Sequence, residues 1–64
     1  MKIEIWGEWW SARACRAFLA DIHDIEIEDT GAGRFIVIAE ARNGHGKFIQ
    51  YVADRYKCSS RRVV

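Results

Sequence analysis

No proline occurs anywhere in the sequence, and cysteine occurs only twice. The missing proline fits a chain with few irregular segments. The two cysteines, Cys15 and Cys58, stand far apart, with no CxxC spacing and no His/Cys cluster. That argues against a disulfide framework and a zinc site, and it suits a reducing cytosol. Long apolar runs are absent too: nothing approaches the roughly 18–20 residues that span a membrane. The opening stretch MKIEIWGEWW alternates charge with hydrophobe instead of building the apolar core of a signal peptide. The expectation is a soluble, cytoplasmic protein with no membrane contact.

What is present is apolar and aromatic. Half of the 64 residues are hydrophobic, including three Trp, three Phe and two Tyr. So short a chain makes one small domain, residues 1–64, and buries only about 60% of the surface its unfolded form exposes. Net charge is +1 but unevenly spread. Residues 1–32 carry three basic and seven acidic groups, and residues 33–64 carry seven basic and two acidic. Such asymmetry fits a basic binding face, or halves that attract each other or a second copy.

The hydrophobic period alternates between two and 3.6 along the chain. KIEIW reads as a strand with Ile3 and Ile5 on one face and Glu4 and Trp6 on the other. SARACRAFLADIHD places Ala14, Cys15, Phe18, Leu19 and Ile22 at helical spacing, with Ser11 as N-cap and Trp10 as a hydrophobic staple. DIEIED alternates again, and the DTGAG that follows is hairpin chemistry. RFIVIAEA is a continuous apolar run that suits a central strand. From Lys47 a second helix is expected, with Phe48, Ile49, Val52, Ala53 and Tyr56 inward, and SSRRVV leaves room for a last strand.

An offset of 33 residues lays Ile3 and Ile5 on Ile36 and Ile38, and FLAD on YVAD. Two related βαβ halves predict a ferredoxin-like split βαβ fold, with a four-stranded antiparallel sheet and two helices on one face. The other face of that sheet is then open. With Ile36 and Ile38 toward the helices, Trp6, Phe35, Val37 and Ala39 point outward, rimmed by Glu4, Glu26 and Glu28. In the opposite register Ile36 and Ile38 take the outward positions. Either way an apolar patch faces water, which marks an interface unless Trp9, Trp10 or the chain's end folds over it.

An aromatic on each of the two middle strands resembles the RNA-recognition fold, whose rings stack bases. GRFIVIAEA lacks that family's second glycine and its alternating aromatics, and the carboxylates beside it would repel phosphate. A second basic candidate is the RNGHGK segment, where Arg42, Gly44, His45, Gly46 and Lys47 lead into a helix. Helix N-termini attract anions, and Arg61 and Arg62 add charge near the other end. The nucleotide P-loop needs GxxxxGK followed by Ser or Thr, however. Here one residue separates the glycines and Phe48 follows the lysine, so the segment reads first as a turn.

Catalytic candidates are few. His23 beside Asp24 reads as a cap on the first helix. Cys15 falls on the inward stripe, and Cys58 has Lys57 and Arg61 close in sequence, charges that lower a thiol pKa. The sequence therefore predicts a protein that is not an enzyme and carries no cofactor. It reads as a non-catalytic protein-binding module of inhibitor or adaptor type, its partner another protein or a second copy forming a homodimer. Nucleic-acid or phosphate binding through the basic half is the alternative.

Overall fold

The computed structural model describes residues 1–31, 33–39 and 45–63. The elements follow in the order β1 (Lys2–Trp6), α1 (Trp9–Ala20), β2 (Glu26–Gly31), β3 (Arg34–Ile38), α2 (His45–Arg55) and β4 (Ser59–Arg62). The architecture is α+β, with one four-stranded sheet in the order β2-β3-β1-β4. Every neighbouring pair is antiparallel.

Strand alternation decides what each face of the sheet carries. On β1, Ile3 and Ile5 are buried, while Lys2, Glu4 and Trp6 are not. Ile3 pairs with Val37 and Ile5 with Phe35, so these four side chains share one face. Phe35 keeps only 2% of its surface and Val37 none. The expectation that Phe35, Val37 and Ala39 line the open face is thereby overturned, Ala39 too being buried. They belong to the core, and Ile36 and Ile38 take the outward positions. A slip of one residue turns every side chain of a strand over, and the 33-residue offset is wrong by that one residue on β3.

The helices complete the core with Ala12, Cys15 and Leu19 of α1 and Ile49, Val52 and Ala53 of α2. These join Ile3, Ile5, Phe35 and Val37 in one cluster. Complete burial of an Ile, Leu or Phe side chain stabilises by about 1.5–3 kcal/mol, so this cluster is the chief support of a chain this small. Three residues expected inside are exposed: Ala14, where α1 buries Ala12 instead, Phe18 at 43% and Phe48 at 40%.

The helix ends also differ from expectation. α1 begins at Trp9 with Glu8 as N-cap, not at Ser11, and no side chain caps it. The Glu8 carbonyl accepts the Ala12 N–H at 2.8 Å, so the helix starts as soon as the chain leaves Gly7. It closes at Asp21 through N–H bonds to the Phe18 and Leu19 carbonyls, and His23 lies beyond that end, beside Asp24 at 3.5 Å. α2 ends more tightly. Lys57 adopts φ 60°, its N–H reaches the Asp54 carbonyl at 2.9 Å, and the Cys58 N–H reaches the Ala53 carbonyl at 2.8 Å. That is a Schellman motif with lysine in the left-handed position. It turns Cys58 into the core just before β4 begins.

Candidate functional site

The face away from the core is built from three cross-strand rows. The middle row runs Glu28, Ile36, Glu4, Arg61 across β2, β3, β1 and β4. On one side of it stand Glu26, Ile38 and Lys2, and on the other Arg34, Trp6 and Ser59. Ile36 and Ile38 succeed each other on β3, and Trp6 is a diagonal neighbour of Ile36, within reach of a large side chain. All three are half-buried. They form an apolar strip along the two central strands, with the charges Glu26, Glu28, Lys2, Arg34 and Arg61 around it.

The charges are not spread evenly. The β2 edge of this face carries Glu26 and Glu28, and the β4 edge carries Arg61. Arg61 Nε donates to Glu4 Oε1 at 2.9 Å, which ties β4 to β1 beside the apolar strip. Neither of the two outer tryptophans is buried over the patch: Trp9 is 66% and Trp10 68% exposed, at the start of α1. The Trp10 indole N–H donates to Glu8 Oε2 at 3.0 Å, and the Arg13 guanidinium lies over the Trp9 ring at 5.2 Å.

Of the residues expected to meet a partner, Trp6, Glu4, Glu26 and Glu28 occupy the open face together, and Phe35 and Val37 do not. The sequence reading missed the contributions of Arg34, Lys2 and Arg61. Arg34 was legible in principle, because it shares the parity of Ile36 and Ile38. Arg61 was not, because the register of β4 against β1 leaves no trace in the composition of SSRR.

The basic candidates are scattered. Arg42 and Gly44 lie outside the described residues. His45, Gly46 and Lys47 form the first turn of α2. A Cβ on Gly46 would meet the Met1 sulfur at 2.7 Å, and the flexible Met1 side chain would have to move aside for it. Lys47 borders a shallow depression with Gln50, Tyr51, Asp54, Ser59 and Ser60, which includes neither Arg61 nor Arg62. Arg61 is held by Glu4 on the open face, and Arg62, next along the strand, falls on the opposite parity.

The thiols offer no activated nucleophile. Cys15 and Cys58 are both free and buried, and the Cys58 thiol donates to the Tyr56 carbonyl at 3.8 Å. Burial, then the neighbouring sulfur, pushes the Cys15 thiol up to about 12. Burial also pushes Cys58 up, against the lowering expected from Lys57 and Arg61. Sequence proximity to a cation does not offset desolvation here. Among the described residues, no group of three or more His, Cys, Asp or Glu is placed to hold a metal. No helix among them is long and apolar enough to cross a membrane. Comparison with family models, with curated proteins and with solved structures gives no match.

Proposed function

We propose that this chain is a non-catalytic protein-binding module that docks its partner on the open face of the sheet. What carries the reading is the strip of Trp6, Ile36 and Ile38, half-buried at the middle of a face with charges at its edges. An apolar centre with a polar rim is the usual anatomy of a specific protein interface. Nucleic acid fits the same face less well, because Glu4, Glu26 and Glu28 repel phosphates. The order of elements, with the first and third strands central in an antiparallel sheet, supports assigning the ferredoxin-like split βαβ arrangement. Two free cysteines suit a reducing cytoplasm.

The test is capture. Immobilised wild-type chain should retain a protein partner from a lysate of its native host, identified by mass spectrometry. Trp6→Ala and Ile36→Ser should each weaken retention by about 2 kcal/mol or more, as central apolar residues of interfaces do. Lys47→Ala, on the far helix, should leave it unchanged. Retention of the same proteins by all four chains would remove the open face from the account.

A further inference from the structure

We infer that the partner on the open face is a second copy of this chain, stacked face to face with the two-fold axis running along the strands. The inference rests on the protein-binding reading above and names the occupant of that same surface. Its basis is the order of charges across the sheet, which is complementary to itself in one orientation and not in the other.

Aligned sheets stack with their strands within about 30° of one another. A two-fold axis lying between two such faces can run along the strands or across them. If it runs along the strands, the β2 edge of one copy covers the β4 edge of the other, and β3 covers β1. The middle row, Glu28, Ile36, Glu4, Arg61, then meets its own reverse. Glu28 faces Arg61 of the second copy, and by symmetry this happens twice. In the next row Arg34 faces Trp6 of the second copy, also twice, which adds a guanidinium over an indole. If the axis runs across the strands, every strand covers its own counterpart. The acidic β2 edge then covers itself, Glu28 against Glu28 or Glu26 of the second copy, and Arg61 on the β4 edge gains no acidic partner across the interface. Like charges brought together at an interface cost several kcal/mol, so the charge pattern selects the first arrangement.

The size of the face says how tight the pairing is. Four strands about 4.8 Å apart and five residues long at about 3.3 Å each span roughly 300 Å² in projection. Even doubled for the relief of the side chains, the two copies together bury no more than about 1,200 Å², the low end for specific complexes. The dimer is therefore weak and concentration-dependent.

Sedimentation of the whole chain from about 10 μM to 1 mM brackets that affinity. Wild type should pass from monomer to dimer across this range. Glu28→Arg should weaken pairing at least about tenfold, because it sets two cations against each other at both ends of the interface. The reverse partner is the double variant Glu4→Arg/Arg61→Glu, which inverts the intramolecular bridge instead of breaking it and should lose pairing equally. Mixed in equal amounts, the two variants place opposite charges at both contacts, and a heterodimer of wild-type affinity should return. Circular dichroism melts of each variant show that it is folded before mixing. Self-association that ignores both substitutions, or that the mixture fails to restore, overturns this arrangement. A wild-type chain that stays monomeric at 1 mM while retaining a foreign protein through Trp6 overturns the second copy and leaves the protein-binding reading intact. Monomer with no Trp6-dependent retention overturns both.

Discussion

Gly7 and Gly33 meet backbone to backbone at the end of the sheet: the Gly7 N–H donates to the Gly33 carbonyl at 3.3 Å. A Cβ built on Gly33 would lie 3.0 Å from the Gly7 oxygen, and Gly33 itself sits at φ 70°, where L side chains are strained. Both effects act in the same direction. Gly33→Ala should therefore cost about 1–3 kcal/mol, read as a lowered urea midpoint. D-alanine at position 33, introduced by chemical synthesis, keeps the backbone angle and points its methyl elsewhere, so it should cost little. An equal loss for both hands would mean that neither contact nor angle matters there.

Phe35 and Ile36 are neighbours in sequence that point to opposite faces of β3, one in the core and one outside it. Phe35→Ala should remove about 3–5 kcal/mol. For a chain whose whole stability is about 0.05–0.15 kcal/mol per residue, that is enough to unfold much of the population. Ile36→Ser should cost well under half as much, because the face it leaves already meets water. Equilibrium unfolding in urea compares the two, and the reverse ranking would restore the register that the internal repeat suggested.

That repeat explains why some of the fold was legible and some was not. The element types follow from period, and the six elements among the described residues stand where a change of period puts them, within a few residues at the ends. The facing of β3 does not follow, because no polar residue falls between Phe35 and Ala39 for alternation to act on. The 33-residue offset holds for the helices, where it lays buried Leu19 on buried Val52. The buried strand residues need an offset of 32, Ile3 on Phe35 and Ile5 on Val37. One extra residue between β3 and α2 accounts for the difference, and a helix fitted to the repeat carries the error onto the strand. The apolar character of the open face survived the slip because both parities of β3 are apolar. Its charged rim was half visible, through Glu4, Glu26 and Glu28, and half hidden in the pairing of β4.

Arg16 of α1 grips Asp29 of β2 with two parallel bonds, Nε to Oδ1 at 2.7 Å and Nη2 to Oδ2 at 2.9 Å. The guanidinium bond holds the Asp29 carboxyl below its ordinary 3.8. A carboxylate whose pKa is lower folded than unfolded contributes stability above its unfolded value and loses it as pH falls through the folded one. This contribution should therefore be intact at neutral pH and fade only in acid below about 4. Both groups are exposed, so salt should weaken it as well. Carbon-detected NMR titration of the carboxyls should find Asp29 low in wild type and returned toward 3.8 in Arg16→Gln. An Asp29 that titrates identically in both chains would dissolve the link between α1 and β2.

Cys15 and Cys58 impose a limit at the other end of the pH scale. The Cys15 thiol is raised from 9.0 to about 12 in the folded chain, by burial first and by Cys58 second. In the unfolded chain it ionises near 9.0. Above that pH the folded state holds a proton that the unfolded state has released, so stability must fall as pH rises toward the folded value. The slope for one such proton is about 1.4 kcal/mol per pH unit. Urea unfolding between about pH 8.5 and 10.5 should show this decline in wild type and a shallower one in Cys15→Ala, where the proton is gone. Alkylation supplies an independent reading, since the thiolate is the reactive form and neither thiol reaches it while folded. Iodoacetamide at pH 8 should label native protein only as fast as the core opens, and labelling should accelerate in urea with the unfolded fraction. Rapid labelling of Cys15 in the native state would show that the thiol is neither buried nor raised.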